Sequence, residues 1–281
     1  MFTLTIERFD GQRLTLTQRE SAYTVKYSGL EPVAASIATS KRAIGVRRNS
    51  THAGARNIVL YVNIYGDVEA NRIRLYQFLA PQSIVKLHYS NGARNICVVG
   101  CVEAHEVDQF SVPSYAQISI MCESPYLPGA EAIVQEITST IDKFEFPFAI
   151  DAEGVEFSAT GAHGYANAYN SGDVPTGAIF RIFAHADVVN PVVYNALSNE
   201  YFRVNVTLAH GDTLMINTSI GAKNVTITKM SGETASALFY KADGSTWLQL
   251  AVGDNYISYA ADSGADSMAV SIEYNNLFIG V

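Results

Sequence analysis

Val85-Lys86-Leu87-His88-Tyr89-Ser90-Asn91-Gly92-Ala93-Arg94-Asn95-Ile96-Cys97-Val98-Val99-Gly100-Cys101-Val102 is the stretch that decides the fold class. Val85, Leu87 and Tyr89 alternate with Lys86 and His88, so one face is apolar and the other polar, the mark of a half-buried strand. Asn91-Gly92 is a hairpin signal, because both residues tolerate the positive φ that tight turns require. From Ile96 to Val102 nearly every position is apolar, which predicts a central strand covered on both faces. The stretch therefore reads as two antiparallel strands.

The same period of two runs outward in both directions. Phe2, Leu4 and Ile6 alternate with Thr3, Thr5 and Glu7, and Tyr23, Val25 and Tyr27 alternate with Thr24 and Lys26. Ile58 to Tyr65 reads as a second central strand. One helix interrupts them. Gly66-Asp67 supplies an N-cap, Glu69 suits the positive end of the helix dipole, and Pro81 stops the run after Ala80. Ile73, Leu75, Tyr76, Phe78 and Leu79 form its apolar stripe. Residues 124–142 break the strand rhythm. Strands then resume at Phe144, Phe146, Phe148 and Ile150, and recur at Ile179–Phe183, Phe202–Leu208, Leu214–Ile216, Val225–Ile227, Trp247–Leu250, Tyr256–Tyr259 and Met268–Tyr274. Turns such as Gly211-Asp212, Gly244-Ser245 and Gly253-Asp254 separate them, which indicates a β-sandwich. The expected organisation is mainly β, with domains at 1–130 and 131–281 and a linker near 127–142.

Composition narrows the function classes. The chain has 281 residues, 48% hydrophobic and 16% charged. That fills real cores and excludes a disordered chain. The opening Met1-Phe2-Thr3-Leu4-Thr5-Ile6-Glu7 has neither a basic n-region nor an apolar h-region, so it does not read as a signal peptide. No stretch is apolar enough to span a bilayer. Three cysteines at no framework spacing read as reduced thiols. The net charge of −8 is unevenly placed: residues 1–102 hold 13 basic and six acidic residues, and the remainder six basic and 21 acidic. Such a split points to different partners for the two ends. No stacking motif accompanies the basic residues, so nucleic-acid binding is not expected.

Candidate chemistry gives way, residue by residue, to structural readings. Cys97, Cys101 and His105 are spaced by four, but on a strand that separation is about 13 Å, too far to share one ion. His210 and Asp212 look capable of acid–base work, yet Gly-Asp between strands is first a turn. No catalytic, metal or cofactor site is expected. Trp247, the single tryptophan, is the one candidate for stacking on a sugar, although Trp247-Leu248-Gln249-Leu250 also fits a core strand. The unusual feature is the basic stretch Lys41-Arg42-Ala43-Ile44-Gly45-Val46-Arg47-Arg48, continuing to Arg56 with no clear period. It reads as a long loop that is mobile alone and carries positive charge to a partner. Lys41, Arg42, Arg47, Arg48 and Arg56 are thus the candidate assembly-interface residues.

Taken in order, these segments resemble the distal tail protein family of phages with long non-contractile tails. The resemblance runs through Gly29-Leu30-Glu31-Pro32, Arg56-Asn57-Ile58-Val59-Leu60, the helix with Arg72 and Arg74, and Cys122-Glu123-Ser124-Pro125-Tyr126. It continues through Phe146-Pro147-Phe148, Asn170-Ser171-Gly172-Asp173, Asn190-Pro191, Gly211-Asp212-Thr213-Leu214-Met215-Ile216-Asn217, and Trp247-Leu248-Gln249-Leu250 to Gly253 and Asn255. Ser124 and Asn217 stand where the family often has Asp. The resemblance implies an N-terminal split β-barrel with a helix, related to tail-tube proteins, and a C-terminal galectin-like β-sandwich. It implies a homohexameric ring that joins the tail tube to the tail-associated lysin or fibre hub. It also implies a place at the virion tail tip after synthesis in the host bacterial cytoplasm, and contacts with receptor-binding or cell-wall saccharide components. A carbohydrate-binding adhesin module is the alternative reading. A polysaccharide-degrading enzyme, which would need paired carboxylates across a cleft, is a further one.

Overall fold

The computed structural model describes residues 2–16, 22–137 and 165–281, and the backbone of 140–142 and 158–160. The expected strand from Phe144 to Ile150 lies outside the described residues. The chain divides into two compact units, one of Met1–Glu131 with Leu277–Val281 and the other of Ala132–Asn276. The final five residues were expected in the C-terminal domain and instead return to the first unit.

The first unit contains β1 (Thr3–Arg8), β2 (Arg13–Leu16), β3 (Tyr23–Ser28), β4 (Ala35–Lys41), β5 (Val46–Ala53), β6 (Arg56–Ile64), α1 (Val68–Phe78), β7 (Ile84–Ser90), β8 (Asn95–Asp108), β9 (Tyr115–Cys122) and β10 (Leu127–Pro128). Seven of these strands form one antiparallel sheet in the order β2-β1-β7-β8-β9-β6-β3. The end strands β2 and β3 come within 8 Å (Cα–Cα) without pairing, which makes the sheet a split barrel. Its inside is filled by the alternating side chains the sequence marked, among them Leu4, Ile6, Val25, Leu87 and Tyr89.

Helix α1 closes this core with Leu75, Phe78 and Leu79, and Asp67 caps it by accepting from the Ala70 amide at 3.1 Å. Ile73 and Tyr76 of the expected stripe are exposed. The two strands expected to be covered on both faces are covered on one only. Val99 and Cys101 of β8, with Ile84, Met121, Tyr126 and Leu277, line an open apolar hollow of about 420 Å³ on the outer face. The turn of the opening hairpin has four residues, Asn91–Arg94. The Asn91 side chain accepts from the Ala93 and Arg94 amides, and Gly92 holds φ at +86°.

The second unit runs β11 (Ile133–Ile137), β12 (Thr140–Asp142), β13 (Ser158–Thr160), β14 (Tyr165–Asn167), β15 (Thr176–Ala184), β16 (Val188–Val189), β17 (Val192–Asn195), β18 (Glu200–Arg203), β19 (Thr207–Leu208), β20 (Thr213–Asn217), β21 (Asn224–Thr228), β22 (Thr234–Ser236), β23 (Gln249–Leu250), β24 (Tyr256–Ala260) and β25 (Met268–Tyr274). One sheet has the order β11-β25-β15-β20-β21-β22, and the other β14-β24-β17-β18. Phe180, Ile182, Leu214, Ile216 and Ile272 from the first meet Val193, Phe202, Ile257 and Tyr259 from the second in one core. That is a β-sandwich.

Buried asparagines hold the loops of this sandwich. Asn255 accepts from the Ala251 amide and donates to the Ala168 and Ala251 carbonyls, while Asn170 donates to those of Val174 and Leu250. Each side chain replaces backbone partners that an irregular loop lacks. The two departures from the family pattern do the same job as turn formers. Ser124 Oγ accepts from the Tyr126 amide, and Asn217 Oδ1 from that of Ser219.

Asp212 is a structural carboxylate. Its side chain accepts from Lys229 Nζ at 2.7 Å, the Ala209 amide at 3.0 Å and the Met230 amide at 3.4 Å. Burial favours the neutral acid, but Lys229 and the two amides outweigh it and hold the carboxyl below the usual range. A depressed folded-state pKa stabilises the fold above the unfolded value and loses that contribution as pH falls through the folded one. Asp212→Asn is therefore expected to lower the melting temperature at pH 7 by roughly 4–8 °C. The gap to the wild type should narrow once pH drops below about 4. Calorimetry across pH checks this; a gap that does not change with pH would contradict it.

Candidate assembly interface

Lys41, Arg42, Arg47 and Arg48 lie on a β-hairpin, not on the irregular loop expected. β4 and β5 pair antiparallel from Ala35↔Ala53 to Lys41↔Val46, with a bulge between Ala38 and Thr39. Arg42 N–H donates to the Gly45 carbonyl to close the tip, and Gly45 takes φ +74°. Every residue of both strands is exposed, which is why no alternation appears in the sequence: neither face is buried, so neither needs to be apolar. Ile44, at 93% exposure, and Val46 stand at the tip among the charges.

Two features set this hairpin apart. First, among the described residues it pairs with no other strand, so its edges present backbone groups open to pairing. A lone two-stranded hairpin is marginal in water and is stabilised by what it packs on. Second, from Pro32 to Gly66 the sequence contains no acidic residue. Among the described residues, none of these four cations enters an ion pair. A cationic ribbon with open edges suits an acidic partner surface.

Arg56 is a correction to the sequence reading. It opens β6 and is only 1% exposed, so it cannot meet a partner. Its guanidinium makes five hydrogen bonds, all to backbone carbonyls. Nε and Nη2 donate to Pro125 O at 2.9 and 2.6 Å, Nη1 to Gly29 O and Glu31 O at 2.5 and 2.8 Å, and Nη2 to Ile279 O at 2.8 Å. Burial pulls its pKa down, countered by nearby Cys122 and Glu31. An arginine starts so far above neutrality that the group stays charged. Cys122, its cross-strand neighbour, is pushed up to about 11 by burial, against the pull of Arg56, and so remains a thiol. Gly29 lets the strands meet here: at φ +87°, a Cβ on it would fall 1.9 Å from the Asn57 carbonyl oxygen.

The other candidates are held in structural roles. Trp247 packs half-buried on Phe202, ring centroids 4.7 Å apart, with the Lys223 ammonium 5.6 Å above it. His105 shares a hydrogen bond through Nδ1 with the Leu79 carbonyl, and burial lowers its pKa. Among the described residues no group of three or more His, Cys, Asp or Glu side chains could hold a metal ion.

Known proteins place this geometry. Residues 171–278 match the sequence model of the siphovirus-type tail component, C-terminal domain. The match lies within the second unit. No curated protein sequence matches the chain. The fold extends over the whole length of solved relatives. The crystal structure of the SPP1 Dit protein, described as a paradigm of the hub adsorption apparatus in phages infecting Gram-positive bacteria, superimposes with a TM-score of 0.66 at 13% identity, covering 99% of each chain. Chains of the phage P2 baseplate in its activated conformation with Ca and with Sr give 0.51 and 0.52 at 8% identity, covering 100% of each chain. The distal-tail resemblance read from the sequence is thus borne out at the level of the fold: the chain is built like the distal tail proteins over its whole length.

Proposed function

We propose that this tail component closes a ring of six copies at the distal end of a siphovirus tail. The ring joins the last tail-tube ring to the tail-associated lysin or fibre hub. The β4–β5 hairpin carries the reading. It is ordered, cationic and edge-exposed, and no acidic group lies near it in sequence, so an adjacent copy or the tube ring supplies its counter-charges. The likeness in fold to a phage hub protein over nearly the entire chain supports the same reading. The role is that of a scaffold rather than a catalyst, with the galectin-like sandwich as the outward-facing part. The protein is made in the bacterial cytoplasm and ends at the virion tail tip.

Electron microscopy of assembled tails, or of the chain mixed with its tube protein, is expected to show six-fold particles. A single copy per tail tip would overturn the proposal. Monomers in dilute solution are compatible with it, since closure can require the tube as template.

A further inference from the structure

One face of the second unit has no part in the ring proposal. On the sheet β14-β24-β17-β18, Ile257, Tyr259, Val193 and Phe202 point into the core, so their sequence neighbours point to the other side. The register then aligns four residues from four strands. Tyr165 lies opposite Ser258, Ser258 opposite Tyr194, and Tyr194 opposite Tyr201. At about 4.8 Å between strands the row is roughly 14 Å long. Tyr256 joins from the next row, edge-to-face with Tyr165 at a centroid distance of 6.1 Å. Tyr165 is 70% exposed, Tyr256 and Tyr201 also lie open, and Tyr194 is half-buried.

Fixed polar groups flank the row on the same face. Beside Tyr201, two positions along β18, Arg203 binds Asp262, which also accepts from Asn190 Nδ2 at 2.8 Å, while Arg203 Nε donates to Asn205 Oδ1 at 3.2 Å. At the other end Asn167 donates to Asp254 at 2.7 Å. Asp262 is held below the ordinary carboxylate range, first by Asn190 and then by Arg203, so it stays an acceptor.

Flat rings with a phenolic edge, bordered by preorganised donors and acceptors, match a pyranose. Such a ring offers an apolar C–H face and a rim of hydroxyls. Charge selects among glycans. Residues 132–276 hold 16 acidic and six basic side chains, a formal charge of −10, which repels phosphate-bearing or sialylated polymers. We propose that the tyrosine row is a binding face for an uncharged glycan chain. The inference does not depend on ring formation, and it places the sugar contact on this row rather than on Trp247.

The test is an array of neutral and anionic oligosaccharides probed with the full chain, followed by calorimetric titration of the best binder. At least one neutral glycan is expected to bind. Tyr194→Ala with Tyr201→Ala should weaken it roughly tenfold or more. Tyr165→Ala, at an exposed edge where folding is not at stake, should weaken it several-fold. Tyr194→Phe with Tyr201→Phe keeps the rings and should bind within about threefold of the wild type. No neutral glycan bound at millimolar concentration, a preference for anionic glycans, or equal binding by all variants would each overturn the proposal.

Discussion

Arg56→Ala is expected to destabilise the first unit by about 3 kcal/mol or more, a fall of roughly 10 °C in its melting temperature. The substitution removes five donors at once. The carbonyls of Gly29, Glu31, Pro125 and Ile279 would each lose the donor that Arg56 supplies. Hydrogen bonds from a charged group are individually stronger than neutral ones, and buried acceptors left without donors bear the full desolvation cost. Arg56→Lys should recover only part of the loss. An ammonium is a point donor, whereas the planar fork reaches four carbonyls on three chain segments in different directions. Thermal melts and amide exchange in residues 22–31 and 123–128 would measure the effect. A loss under about 1 kcal/mol would show that water replaces the guanidinium and that the cluster is not a clasp.

The opposite outcome is expected at the hairpin. Arg47→Glu with Arg48→Glu should leave the melting temperature of the monomer within about 2 °C of the wild type, because both side chains already lie in water. Assembly should fall by a hundredfold or more, since like charges brought together at a contact cost on the order of several kcal/mol. In the wild type, assembly should slow as salt rises, because rim charges are screened over about 10 Å at 0.1 M. Sedimentation or tail-incorporation assays read this directly. Normal assembly of the double variant, or a large loss of monomer stability, would return the hairpin to an ordinary solvated surface.

Arg56 and the hairpin also show what the sequence could and could not tell. Arg56 follows the basic run directly and reads with it. Its phase says otherwise: it falls on the same side of β6 as Ile58, Leu60, Val62 and Ile64, all of which point inward. Carrying the period of two back by one step would have placed it in the core. The hairpin could not be recognised this way, because a ribbon exposed on both faces carries no amphipathic signal. The central strands were misread for the converse reason: Val99 and Tyr61 are large and largely apolar on an outer face that is open in the single chain. Helix α1, most strands of the barrel sheet and most strands of the sandwich were legible, since burial on one side imprints itself on every second residue of a strand and every third or fourth of a helix; that the sheet closes into a split barrel came from the family resemblance. The tyrosine row was not. Tyr165, Tyr194, Tyr201 and Ser258 are far apart in the chain, and only strand order and register bring them into line.

The return of Leu277–Val281 to the first unit has a topological consequence. Leu277 and Phe278 pair with Pro128 and Leu127, and Gly280 accepts from Arg94. Within the sandwich, Ile133 and Tyr274 are likewise direct neighbours. The whole of residues 132–276 is therefore spliced into the first unit, entering and leaving at adjacent points, so it behaves as a cassette. A different sandwich, or a short turn, could be grafted between Pro128 and Leu277 while the barrel keeps its closing strand. Exchange of the inserted module would then leave the barrel, with its hairpin and its buried arginine, as it is.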